Sequence, residues 1–132
     1  MKDCDVWWVA YDTPVDDSDE VDMSVIYENI RKSVPYLNNG VLIVVSSQLP
    51  AGSSKKIKEI ISKENPKLDF EYAYTPENLR LGEALECFFK PGRVVIGADS
   101  DQAREKLKDI FSDIEADFLC MSVASAEMAK HA

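Results

Sequence analysis

The sequence predicts an α/β domain, built on a parallel sheet of about five strands with helices on both faces. Two observations carry this prediction. Short runs that are apolar throughout alternate along the chain with segments whose apolar residues recur at helical spacing. Strands of a parallel sheet are covered on both faces, so they read as continuous apolar runs. At 132 residues, the chain is long enough to bury a core of its own.

Five segments of strand length have this apolar character. The clearest is Val41–Val45, which follows the turn residues Asn38-Asn39-Gly40. Because amphipathic helices separate these segments, we expect the strands to be parallel and to form the middle of three layers. The five predicted strands are 6–11, 41–45, 70–74, 93–96 and 118–121.

Amphipathic segments lie between the predicted strands. The first helix has Asp22 or Ser24 as its candidate cap. A later helix opens at Asp99, with Gln102 in the position of a capping box, and the last begins near Ser125 and is cut off by the chain end. The residues expected to face the core are Met23, Ile26, Ile30 and Val34, then Ile57, Ile60 and Ile61, then Ala103, Leu107, Ile110 and Phe111.

Composition excludes several classes of function. The formal net charge is −9, so the chain cannot neutralise a row of phosphates, and no nucleic-acid partner is expected. No apolar run approaches the roughly 20 residues that a membrane span needs, and no signal peptide is present, so we expect a cytoplasmic protein without a membrane partner. Cys4, Cys87 and Cys120 lack the spacing of a metal site or a disulfide framework. We expect free thiols, with Cys87 and Cys120 buried, and no bound metal.

Three of the predicted strands run into loops that contain proline. These loops are Asp12-Thr13-Pro14, Gln48-Leu49-Pro50 and Thr75-Pro76-Glu77. Because the carboxyl ends of parallel strands meet at one edge of a sheet, we expect the three loops to lie together where open α/β sheets bind ligands. The alternative is that each proline only ends its strand.

An acidic cluster follows the first predicted strand, and it suggests a different class of protein. A free-standing signalling module of the receiver type uses such acids to hold Mg²⁺. That class also needs an aspartate ending a central strand and a lysine ending the last, where this chain has Ser46-Ser47 and Ser122-Val123. We therefore interpret the cluster as a solvated loop and keep the receiver as the alternative. Its members are Asp16, Asp17, Asp19, Glu20 and Asp22.

Five motifs occur in a fixed order along nearly the whole chain. They are Tyr11-Asp12-Thr13-Pro14, Ser46-Ser47-Gln48-Leu49-Pro50-Ala51-Gly52-Ser53, Thr75-Pro76-Glu77-Asn78-Leu79-Arg80-Leu81-Gly82, Lys90-Pro91-Gly92-Arg93-Val94-Val95-Ile96-Gly97 and Ser125-Ala126-Glu127-Met128-Ala129-Lys130. Together they resemble the UDP-glucose/GDP-mannose dehydrogenase family of nucleotide-sugar 6-dehydrogenases. The resemblance implies that residues 1–132 form the second half of a Rossmann-like NAD-binding domain, a partial three-layer parallel sheet.

The resemblance also implies a reaction and a cofactor. Members of the family use NAD to oxidise the sugar 6-hydroxyl of UDP-glucose or a related nucleotide sugar to a carboxylate. The cofactor-binding positions carried over are Tyr11, Asp12, Thr13, Pro14, Ser47, Gln48 and Leu49. Gly52-Ser53 leads into a helix N-terminus, which favours negative charge. For Ser47 and Ser53, the alternative role is a hydrogen bond within a turn or a cap.

The family's catalytic roles fall on three positions. Glu77 matches an acid/base glutamate, and Lys130 matches a lysine that stabilises developing oxyanion charge. Gln48 stands where a threonine often helps to hold the catalytic water, and Leu81 stands where a second glutamate is common. An amide can still donate and accept hydrogen bonds, whereas leucine cannot. The substrate-binding positions carried over are Glu77, Asn78, Leu79, Arg80, Leu81 and Lys130.

Two family features do not occur in this sequence. It contains neither a GxGxxG loop, which cradles the pyrophosphate, nor the glycine-rich segment that bears the nucleophilic cysteine. We therefore expect a domain fragment that is inactive alone and binds NAD weakly or not at all. A third hypothesis is a remnant that functions only in assembly, because an exposed strand edge invites self-association.

Overall fold

A computed structural model describes residues 3–13, 17–18, 20–77, 79 and 82–129. Within these ranges the chain forms one sheet of five strands, which follow one another across the sheet in sequence order. The predicted α/β class and the five strands are confirmed. The strands are β1 (Val6–Val9), β2 (Val41–Val45), β3 (Phe70–Tyr74), β4 (Arg93–Ala98) and β5 (Asp117–Met121).

In the described part of the chain, five α-helices connect or follow these strands, and a short 3₁₀ turn at Val34–Tyr36 extends the first of them. The helices are α1 (Ser24–Ser33), α2 (Ser53–Glu64), α3 (Ala84–Phe89), α4 (Asp101–Ile110) and α5 (Val123–Ala129). Before α1, Asp22 accepts a hydrogen bond from the amide of Ser24, but the N-cap residue is Met23 and forms no side-chain cap bond, so the predicted cap is wrong in its position. The predicted cap of α4 is wrong, because Ser100 rather than Asp99 accepts from the amide of Ala103.

The sheet is mostly parallel, as predicted, with one antiparallel pairing. β1 pairs with β2, β2 with β3 and β4 with β5 in parallel. β3 and β4 are antiparallel, with Ala73 opposite Ala98 and Tyr74 opposite Gly97. An apolar run reads the same in either strand direction, so the pattern could not reveal this reversal. The carboxyl ends of β1, β2 and β3 still meet at one edge.

Helices cover both faces of the sheet, as predicted. On one face, Ile26 and Ile30 of α1, the isoleucines of α2, and Ala126 of α5 pack against Ile43 and Val45 of β2. On the other face, Ala103 and Leu107 of α4 pack against Leu42, Val44 and Ile96. The predicted burial of Ile110 is wrong: this side chain is 42% exposed, at the last residue of α4.

The last strand is less covered than its apolar run predicted. β5 lies at the edge of the described sheet, and all five of its residues are exposed or half-buried. The expected burial of Cys120 is therefore wrong, because its side chain is exposed, and Cys87 is only half-buried. Among the described residues, no helix is long and apolar enough to cross a membrane.

Candidate functional site

The loops after β1, β2 and β3 converge on one polar pocket. Its volume is about 220 Å³. The prediction that these loops share one edge of the sheet is confirmed, because each contributes side chains to the same pocket. The parallel pairing of the three strands is what brings their carboxyl ends together. The lining residues are Ala10, Tyr11, Asp12, Thr13, Ser47, Gln48 and Glu77.

Ser47 is the most informative side chain of this pocket. It is only 4% exposed, and its Oγ has no hydrogen-bond partner within the described chain. A role for this hydroxyl in a turn or cap is therefore not realised. Its carbonyl, by contrast, accepts a hydrogen bond of 3.3 Å from the phenol of Tyr74. Leaving a buried hydroxyl unpaired costs about 1–3 kcal/mol, so its position at a pocket wall is compatible with a bound polar partner.

Glu77 lies where this polar pocket meets a second, apolar cleft. The cleft has a volume of about 340 Å³, and Ala10 and Glu77 line both spaces. Its wall includes Trp8 and Phe111, whose rings meet edge to face with centroids 5.8 Å apart. Trp8 also donates a hydrogen bond of 2.9 Å from Nε1 to Ser46 Oγ, which ties the ends of β1 and β2 together. A carboxylate at this boundary is exposed enough to exchange a proton with water or a ligand.

The remaining predicted site residues differ in where they lie. Leu49 is 2% exposed and packs in the core, and it is not among the residues that line the polar pocket. Leu79 is 42% exposed and lines the apolar cleft. Five predicted residues lie outside the described part of the chain, and their contributions remain predictions: Pro14, Asn78, Arg80, Leu81 and Lys130.

The N-terminus of α2 already has an internal anion. Glu127 of α5 is 2% exposed, and its carboxylate accepts hydrogen bonds from the amides of Gly52 (2.8 Å) and Ser54 (2.7 Å). The amide between them, that of Ser53, donates to the carbonyl of Pro50. These amides therefore do not face a ligand, contrary to the expectation from Gly52-Ser53. Glu127 was not among the site residues predicted from the sequence, although a carboxylate beside the apolar residues of a helix was a visible signal.

No cluster of histidine, cysteine, aspartate or glutamate suited to a metal ion occurs in the described ranges. Of the acidic cluster after β1, Asp16 and Asp19 lie outside those ranges, and Asp22 is engaged with Ser24. The described residues therefore supply no geometry that favours a receiver.

Comparison with known proteins identifies relatives along the whole chain. Residues 1–115 match the model of the NAD binding domain of the UDP-glucose/GDP-mannose dehydrogenase family. The UDP-glucose 6-dehydrogenase of Rickettsia bellii is 31% identical over 134 residues, covering 99% of this chain and 30% of that protein. The UDP-glucose 6-dehydrogenase of Rhizobium meliloti is 34% identical over 110 residues, covering 81% of this chain and 25% of that protein.

Solved structures agree with the sequence comparison. A UDP-glucose dehydrogenase from Pyrobaculum islandicum has a TM-score of 0.86 at 31% identity, covering 96% of this chain and 30% of that one. A ternary complex of GDP-mannose dehydrogenase from Pseudomonas aeruginosa has a TM-score of 0.89 at 25% identity. The match covers 96% of this chain and 31% of that one. The fold is therefore Rossmann-like, and the chain spans less than a third of the length of these relatives.

Proposed function

Because the chain belongs to the UDP-glucose/GDP-mannose dehydrogenase family, we propose that it is the second half of an NAD-binding domain and that its polar pocket holds part of the NAD molecule. The observation that carries this proposal is Ser47, a residue of the pocket wall whose buried Oγ has no hydrogen-bond partner among the described residues. A ribose hydroxyl or a carboxamide could supply the missing hydrogen bond. Thr13 and Gln48 add further polar side chains to the same wall.

The reaction we propose for the longer protein is the NAD-dependent oxidation of a nucleotide sugar such as UDP-glucose. The residues of the polar pocket would hold part of NAD, and the cofactor would supply the hydride-accepting chemistry of this oxidation. The position of Glu77 supports an acid/base role for this residue. It borders the proposed cofactor pocket and can take a proton from an attacking water. Gln48, the third residue after β2, can orient that water through its amide. The remaining roles are proposed from the family motif alone. They belong to Lys130, Asn78, Arg80 and Leu81.

The chain alone is expected to lack turnover and to bind NAD weakly. Its sequence contains no GxGxxG loop for the pyrophosphate, so most of the phosphate contacts must come from elsewhere. The receiver alternative is not favoured, because the family match covers residues 1–115, including the acidic cluster on which that alternative depended.

We further propose that the chain associates through β1. In the described sheet, β1 pairs with β2 on one side, and Trp7 and Trp8 are only half-buried. An unpaired edge with large apolar side chains favours addition of another strand. Sedimentation should therefore show a concentration-dependent increase in mass, whereas a monomer at all concentrations would contradict self-association.

The cofactor proposal is tested by ligand-observed NMR. Saturation of the protein should transfer to NAD protons in the native chain, and the transfer should fall in Thr13→Val, which loses a hydroxyl from the pocket wall. Ser112→Ala serves as the control and should leave the transfer unchanged, because Ser112 is exposed, follows α4 and does not line the polar pocket. No transfer from the native chain would overturn the proposal. UDP-glucose with NAD should give no NADH absorbance.

A further inference from the structure

Glu127 is a buried carboxylate to which the proposed chemistry assigns no role. It lies in α5, is 2% exposed, and accepts hydrogen bonds from two backbone amides that are more than 70 positions earlier in the chain. Burying a carboxylate is costly unless hydrogen bonds and favourable charge compensate for the lost water. Here one amide belongs to Gly52, the N-cap residue of α2, and the other to Ser54 in its first turn, where the helix dipole also favours a negative charge.

Two further contacts fix the position of α5. A Cβ atom placed on Gly97 of β4 would lie 2.5 Å from Cβ of Ala126, so the absence of a side chain there lets α5 approach the sheet. At the start of α5, the amide of Val123 donates to Asp99, and Asp99 forms an ion pair of 3.0 Å with Lys58 of α2. Thus α5 is attached to α2 at its beginning and again at Glu127.

The turn held by Glu127 is continuous with the loop that enters the polar pocket. Ser47 and Gln48 are followed by Pro50, whose carbonyl accepts from Ser53, and then by the first turn of α2. Gly52 adopts a left-handed conformation with φ of +88°, which residues with a side chain rarely adopt. Only Leu49, Pro50 and Ala51 separate Gln48 from Gly52, so the pocket loop and the turn bound by Glu127 are close neighbours in the chain.

We infer that Glu127 is a positioning residue, which sets the loop bearing Ser47 and Gln48 against α5. This inference rests on the proposed function, because it assigns the loop to NAD. In the family motif α5 leads to Lys130, so the same carboxylate sets the distance between the cofactor loop and the helix that precedes the proposed oxyanion-stabilising lysine.

The role requires a carboxylate of this length. Two convergent N–H groups need two acceptor oxygens, which Glu127 supplies one to each. A glutamine offers one acceptor and turns an NH₂ donor toward the other amide. An aspartate keeps the charge, but it is one methylene group shorter and cannot reach both amides from the same backbone position.

The test compares Glu127→Gln with Glu59→Gln, which makes the same change in charge at an exposed position of α2. We expect amide exchange at Gly52 and Ser54 to rise about tenfold or more in Glu127→Gln. We also expect displaced amide signals for Ser47 and Gln48, with loss of their response to NAD. Ile61→Val, which removes a buried methyl group from α2, controls for lower stability alone and should keep that response.

Exchange rates and NAD responses in Glu127→Gln equal to those of the native chain would overturn the inference. If Glu127→Gln does not fold, Glu127→Asp must show the same changes, and native behaviour in that variant would count equally against it. The two proposals fail separately. A native chain without any NAD response contradicts the cofactor proposal, while the exchange and signal shifts in the absence of NAD still decide whether Glu127 positions the loop.

Discussion

The phenol of Tyr72 donates a hydrogen bond of 2.8 Å to the hydroxyl of Ser54, and so joins β3 to α2 inside the core. The amide of the same Ser54 donates to Glu127 of α5. All three residues are buried, and each of the polar atoms in this chain of contacts has a partner. A buried polar network of this kind stabilises one arrangement of its elements, because any displacement leaves a group unpaired.

Replacing Tyr72 with phenylalanine should lower the free energy of unfolding and change its dependence on pH. Loss of the hydrogen bond to Ser54 should cost about 1 kcal/mol near neutral pH, as measured by urea unfolding. Burial raises the pKa of Tyr72, and the charge of Glu127 adds to this effect while the bond with Ser54 opposes it. The native state therefore resists ionisation of this phenol.

The sign of the pH dependence follows from that raised pKa. The contribution of neutral Tyr72 is complete below about pH 10, the pKa of an unfolded tyrosine, and is lost as pH rises from there toward the folded pKa. Stability should thus fall less steeply above pH 10 in Tyr72→Phe than in the native chain. If the free energy of unfolding fell equally steeply with pH in both chains, the native state would not be holding this phenol neutral. Tyr36→Phe, at a residue 59% exposed, is the control.

Replacing Ser47 with alanine should separate ligand binding from stability. The native Oγ is buried without a partner among the described residues, so its removal should leave the free energy of unfolding unchanged or raise it by up to about 1 kcal/mol. Saturation transfer to NAD should fall in the same variant. A clear loss of stability would instead mean that the hydroxyl already has an internal partner.

Replacing Gly97 with alanine should displace α5. The new Cβ would meet Ala126 Cβ at 2.5 Å and the backbone of Val123 at 3.1 Å. Overpacking of this kind costs about 1–3 kcal/mol, measurable by urea unfolding. In a double-mutant cycle, Ala126→Gly should relieve part of the cost, because it removes the nearest atom. If the changes in the free energy of unfolding caused by the two substitutions simply added, the close contact would be contradicted.

Much of this fold could be predicted from local patterns. The all-apolar run of β2 is fully buried, and the helix-forming spacing of Ile57 and Ile61 faces the core as expected. The convergence of Thr13, Ser47 and Glu77 followed from one rule, that the carboxyl ends of parallel strands share an edge. These features depend on sequence period and chain order, both of which are visible in a single sequence.

The missed features depend on contacts between distant segments. β4 runs antiparallel to β3, and the apolar runs carry no sign of this direction. Cys120 is exposed because β5 lies at the edge of the described sheet, which its own composition cannot show. Glu127 was missed because its partners, Gly52 and Ser54, are adjacent to it only in the fold.

If the loops after β1, β2 and β3 form one site for NAD, backbone amide signals from all three loops should respond to an NAD titration. We expect the amides of Thr13, Gln48 and Glu77 to shift together, along one saturation curve. Signals that do not move, or that move only around Phe88 and Ile114 in the apolar cleft, would contradict it.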